Sequence, residues 1–152
     1  MNGFASGLGV LVVFGSGITA GLLFCVAFTI VPAFAGMTAE SYVRLHKQLG
    51  RNVDRVMPFI VMGSMVGDIV LAAMAPRGWL LFSSAAVALL GVSAVSHLCN
   101  LPINKDVRSL ASKPIPRDWK DPRPRWRGWN LWRTGFSFVA LALNGAALVV
   151  ST

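Results

Sequence analysis

Four apolar runs, residues 7–34, 56–75, 79–99 and 131–150, contain neither Lys nor Glu. Each is long enough to cross the roughly 30 Å of a bilayer's hydrocarbon, which takes about 20 residues at helical rise. Inside hydrocarbon every backbone N–H and C=O must find its partner within the segment or a closed barrel, so runs of this length and continuity fold as helices. The chain is therefore expected to be all-α: a four-helix transmembrane bundle, with residues 1–152 forming a single integral membrane domain. At 55% hydrophobic and 13% charged residues it falls outside the range of ordinary soluble domains.

The first run ends on Ala33-Phe34-Ala35, which imitates a signal-peptidase site. No Lys or Arg precedes Arg44, however, and the run exceeds the 7–15 residues of a signal h-region. It is expected to stay as a mature span.

The net charge of +8 is one-sided. Arg44, Lys47, Arg51 and Arg55 fall in the first connection. Lys105, Arg108, Lys113, Arg117, Lys120, Arg123, Arg125 and Arg127 fall in the basic connection 100–130, and Arg133 lies at the adjoining helix end. Only Arg77 lies in the second connection. The positive-inside rule then places both basic connections in the cytoplasm and both termini outside the cytoplasmic membrane. The charge reads as topology and as affinity for anionic headgroups, with the lipid bilayer as partner and no nucleic acid. Cys25 and Cys99 lack the spacing of a zinc site or a disulfide framework, and are read as small buried hydrophobes.

Thr38 can cap a new helix after Pro32 and Gly36, and Tyr42, Leu45, Leu49 and Val53 recur at helical spacing against Arg44, Lys47, Arg51 and Asp54. This predicts an amphipathic interfacial segment after the first span. Pro76-Arg-Gly78 predicts a tight turn that sets spans two and three antiparallel. Lys113 to Trp126 is too rich in proline for helix and, with Trp119 and Trp126 as interfacial anchors, reads as a lid or strap. Gly17-x-x-x-Gly21 and Gly63-x-x-x-Gly67 make smooth stripes for close helix packing in a compact bundle, with a homo-oligomer left open.

Asp68, the single acidic residue within a span, is costly in lipid, so it is expected to face Asn144 or to serve as proton relay or pocket wall. His46 and His97, the two imidazoles, fall near the basic surface, where either could act as general base or ligand. They are weak metal candidates, because no HxxxH or HExxH spacing is present and none is assigned. Asn100 and Asn104 share a face if a helix continues through Pro102, as do Asn130 and Arg133 at the start of span four, beside Trp126 and Trp129. These residues satisfy helix-end polar groups or form a cationic, amide-lined pocket mouth with aromatic walls, suited to a flat phenolic or enolate ligand.

The pattern Asn-x-Pro-x-Asn at 100–104, followed by a Trp-bearing basic loop and Arg125-Trp-x-x-Trp-Asn-x-x-Arg-Thr134, resembles the anthrone oxygenase-like family of small four-helix membrane proteins. So does Tyr42-x-x-Leu-His-x-x-Leu-x-Arg-x-x-Asp-Arg-x-Met-Pro58. The resemblance implies a role in aromatic polyketide biosynthesis, as a cofactor-independent monooxygenase that uses O2 to convert an anthrone to an anthraquinone. Carried onto this chain, it implies a site of His46, Asn100, Asn104, Asn130 and Arg133, with Trp126, Trp129, His97 and Asp68 as substrate-binding candidates. Where the bacterial pattern often has His, this chain has Asn130. The rival readings are a membrane cyclase or isomerase, which needs much the same groups, and a non-catalytic membrane scaffold.

Overall fold

The computed structural model describes residues 2–151, and among them every regular element is helical. Helix α1 runs Gly3–Ala35, α2 Ala39–Met74, α3 Trp79–Ser109 and α4 Arg123–Ser151. Segments Gly3–Ala35, Val53–Met74, Trp79–Ser109 and Arg123–Ser151 are each long and apolar enough to cross a membrane. The principal contacts run α1–α2, α2–α3, α3–α4 and α4–α1, which closes a four-helix ring. This is the architecture of a multi-pass membrane protein.

Each helix commits one stripe to the ring. On α4 the buried positions are Trp126, Asn130, Thr134, Ser137, Ala140, Asn144, Ala147 and Ser151, spaced three or four apart, so one face of small and polar side chains meets the bundle. The outward faces carry Phe14, Phe59 and Leu98, at 68%, 80% and 76% exposure, as lipid requires. Three apolar clusters stack along the axis. Val12, Leu71 and Phe82 anchor the end away from the basic connections, Leu23, Val61 and Leu89 the middle, and Phe34, Tyr42, Ile103 and Trp126 the basic end.

Thr38 caps α2 as its position predicts, its Oγ1 accepting from Ser41 N–H. The amphipathic segment runs into the second span without a break, and the two form one 36-residue helix that carries Pro58. The side chain of Arg51 lies outside the described residues. Helices α1 and α3 each open into one π turn, Val26–Ile30 and Ser96–Asn100, two residues ahead of Pro32 and Pro102. Proline offers no N–H and its ring collides with the carbonyl one turn back, and a widened turn moves that carbonyl aside without ending the helix. Helix α3 consequently passes through Pro102 to Ser109, ten residues beyond the end expected at 99.

Helix α4 starts eight residues before the expected 131, with Pro124 in its first turn, where a missing N–H costs nothing. The proline-rich run is thus non-helical only ahead of Arg123. Ile115 and Trp119 of this connection pack onto the basic-end cluster, giving the strap its hydrophobic seat. The Arg123 guanidinium donates to the carbonyls of Phe34 and Met37, at 2.8 Å each, and so caps the end of α1. Asp121, also bound by Arg123, has its carboxyl held below the usual range by that hydrogen bond.

Of the two expected glycine stripes only Gly67 lies at a close approach, where an added Cβ would stand 2.5 Å from Val12 Cγ1. Positions 21 and 63 face open space, and Gly91 is the tight position on α3, against the Phe136 ring at 3.1 Å.

Candidate functional site

Two adjoining cavities, of about 130 and 90 Å³, lie in the half of the bundle nearest the basic end. They share Leu22, Val26, Val53, Asp54, Asn104 and Arg133, so they meet around one polar centre inside mostly apolar walls. The larger adds Ser96, His97 and Asn100 from α3 and Pro58 from α2; the smaller adds Phe34, His46 and Trp126.

Three stripes at four-residue spacing build this centre. Helix α3 contributes Ser96, Asn100, Asn104 and Arg108, α2 contributes Tyr42, His46, Asp54 and Pro58, and α4 contributes Trp126 and Asn130, with Arg133 one helical step behind. Asn104 Oδ1 accepts from Trp126 Nε1 at 3.0 Å and lies 3.1 Å from His46 Nε2, so one amide oxygen joins three helices. His46 is 4% exposed and ringed by Phe34, Tyr42 and Trp126 at centroid distances of 5.7, 5.3 and 5.2 Å. Burial pushes its pKa below the ordinary 6.5, partly offset by the Asn104 hydrogen bond, so the ring is neutral near pH 7. Burial likewise raises the Tyr42 phenol above its usual range.

Arg133 donates to Asn130 Oδ1 at 2.5 Å and to Ser96 Oγ at 3.4 Å, while its Nε is buried with no partner. Asn130 in turn donates to Trp126 O at 2.7 Å. Among the described residues Arg133 has no carboxylate partner, because Asp54, on the same wall, is paired with Arg108. Asn100 is 1% exposed, lines the larger cavity, and has neither amide atom hydrogen-bonded. Pro58, four residues after Asp54, also leaves the Asp54 carbonyl without its helical donor.

The structure therefore gathers Asn100, Asn104, Arg133, His46 and Trp126 around the two cavities. Asn130 stands behind Arg133 and lines neither. Trp129 packs onto the basic-end cluster, outside both linings. His97 is exposed, lines the larger cavity and bonds the Ser93 carbonyl through Nδ1 at 2.8 Å. Asp68 is not part of this site. It is fully buried, with Asn144 Nδ2 3.4 Å from its Oδ2 and also 2.9 Å from Ser16 Oγ. Its position on α2, 14 residues past Asp54, puts it about 20 Å along the helix from the cavities. Sequence reading left Ser96 and Arg108 out of the polar stripe, although four-residue spacing from Asn100 and Asn104 marks both. Phe34, on α1, carried no such mark.

His46, Asp54 and Asn104 offer nitrogen and oxygen donors, but no group of three or more His, Cys, Asp or Glu side chains is gathered at one point among the described residues. What the centre does offer is a neutral imidazole, a guanidinium that forms no salt bridge among the described residues, and two asparagines in a mostly apolar lining. Such a set can take a proton from a ligand and hold the negative charge left behind.

Comparison with curated proteins and with solved structures returned no match. A family model described as anthrone oxygenase matches residues 47–143, a stretch that holds the two cavities except for the α1 wall and His46. Matched over more than half its length, with the polar centre inside the match, this four-helix chain belongs to the anthrone oxygenase family.

Proposed function

We propose that this protein is a membrane-embedded enzyme of the oxygenase type, acting on a hydrophobic, polyketide-like aromatic substrate whose ring carbon can be deprotonated to an enolate. The observation that carries this reading is Arg133: a guanidinium on an apolar cavity wall, without a carboxylate partner among the described residues, beside the unengaged amide of Asn100. A half-buried cation in that setting is best compensated by a ligand anion. His46 is the base, neutral because it is buried. Asn100, Asn104 and Arg133 hold the enolate oxygen, while Trp126 and Phe34 wall the ring system.

An enolate of this kind is electron-rich enough to transfer an electron to O2. Recombination at carbon and loss of water then convert the CH2 to a ketone: one oxygen atom stays in the product and the other leaves as water. The co-substrate is O2, and the chain's own residues supply deprotonation, orientation and exclusion of bulk water. The basic connections face the cytoplasm in this reading, and the substrate reaches the cavities from the inner leaflet.

The test is turnover of a hydroxylated anthrone by the purified protein in nanodiscs under ¹⁸O₂. Expected are one labelled ketone oxygen per product and loss of turnover in His46→Gln. An isomerised or cyclised product without O2 consumption would replace the oxygenase reading by the isomerase one. No turnover of any anthrone, with no binding of one, would remove the enzyme reading altogether.

A further inference from the structure

His46 has two chemically different ring nitrogens, and the bundle engages only one of them. Nε2 lies 3.1 Å from Asn104 Oδ1, while Nδ1 is buried with no hydrogen-bond partner. Which nitrogen carries the proton depends on which end of the Asn104 amide faces it, and an amide by itself can turn either way. Trp126 removes that freedom. An indole N–H can only donate, so the Asn104 atom 3.0 Å from Trp126 Nε1 is the oxygen. The same oxygen then requires a donor from His46, which places the imidazole proton on Nε2. A neutral imidazole has one N–H, so the lone pair is left on Nδ1.

We infer that Trp126 and Asn104 are positioning residues that fix His46 as its Nε2–H tautomer and leave Nδ1 as its one proton-accepting nitrogen. The three residues come from three helices, α4, α3 and α2, so the tautomer is set only when the first turn of α4 is seated against the other two. The indole also fits tightly: Trp126 is 6% exposed and stacks on Phe34 at a centroid distance of 5.6 Å. Without the indole N–H, Asn104 can swing Nδ2 toward His46 Nε2. That arrangement favours a lone pair on Nε2 and a proton on Nδ1, the reverse of what deprotonation through Nδ1 needs. The tautomer itself follows from the hydrogen bonds alone; its use in catalysis rests on the base role proposed above for His46.

The chain has two histidines, so ¹⁵N-histidine labelling gives two imidazoles, and the spectrum of His46→Gln identifies the one that disappears. Near neutral pH the wild type should show a protonated-type Nε2 and an unprotonated-type Nδ1 for His46. Trp126→Phe keeps an aromatic ring against Phe34 but removes the N–H, and both nitrogens should move toward intermediate shifts as the tautomers mix. A carboxylate presents an acceptor from either oxygen, so adding Asn104→Asp to Trp126→Phe should restore the Nε2–H pattern without restoring the indole. Turnover should fall in Trp126→Phe; the double variant is read by its spectrum alone, because Asn104 also belongs to the group that holds the enolate oxygen. A wild-type spectrum with the proton on Nδ1, or an unchanged tautomer in a folded Trp126→Phe, overturns the inference. If Trp126→Phe does not fold, the wild-type spectrum and Asn104→Leu, which removes the acceptor, decide it. A correct tautomer together with full turnover in His46→Gln would uphold the positioning role and refute His46 as the base.

Discussion

At the residue scale, a few side chains carry charge or hydrogen-bonding capacity that the folded protein leaves unused. Arg133 is held by Asn130 and Ser96, and the fork of its guanidinium reaches both at once. Lysine would keep the positive charge but not that planar geometry, so Arg133→Lys should lower kcat by about 10²-fold, comparable to losing one oxyanion donor, with expression and helical content unchanged. Wild-type turnover in that variant would show that the guanidinium is structural only. His46 gives the pH dependence. Its pKa is depressed in the folded protein, so its contribution to stability is complete above the unfolded value near 6.5 and is lost as pH falls through the lower folded value. Activity that depends on the neutral ring should fall over the same acid window. Thermal unfolding in detergent should show an acid loss of stability that is shallower in His46→Gln, and an equally steep loss in that variant would assign the effect to other groups.

At the element scale, prolines and glycines shape helices that the apolar pattern alone would leave straight. Pro32 and Pro102 are each preceded by a π turn, and the turn at Ser96–Asn100 carries part of the larger cavity's wall. The glycines are unequal. Gly67→Ala would push a methyl to within 2.5 Å of Val12 Cγ1 and 3.5 Å of Leu8 Cδ1, so it should destabilise the α1–α2 packing by about 1–3 kcal/mol. Gly63→Ala, with nothing within 4 Å, should be neutral or stabilising by up to about 1 kcal/mol, through helix propensity. Comparing the two by unfolding in the same detergent separates packing from propensity, and equal effects would contradict the close contact at Gly67.

At the scale of the whole molecule, the basic residues other than Arg77 and the cavities share one end of the bundle, while the buried Asp68, Asn144 and Ser16 group sits toward the other. The distribution of Lys and Arg predicts that the basic end is cytoplasmic and both termini lie outside. A reporter fused at Thr152 that works only after export should be active, and one that works only in the cytoplasm should be silent; the opposite pair would invert the bundle. The strap belongs to this scale too, because Arg123 joins the start of α4 to the end of α1 across 89 positions of sequence.

The sequence by itself determined the four spans, their helical state and the polar faces, since hydrocarbon permits few alternatives and helical spacing puts residues four apart on one side. It also put Asn100 and Asn104 on one face on the condition that a helix continue through Pro102, and Thr38 at a helix start. Helix ends were less legible: proline ordinarily marks a stop, yet a π turn carried α3 ten residues further, and Pro124 proved to be a first-turn residue of α4. Only the tertiary structure decided which faces meet. It brought His46 and Trp126 to one oxygen of Asn104, set Asn130 behind Arg133, left Trp129 outside the cavities and separated Asp68 from them. Spacing along one helix is fixed by its 3.6-residue period, whereas contacts between helices 22 to 58 positions apart depend on how the whole ring packs.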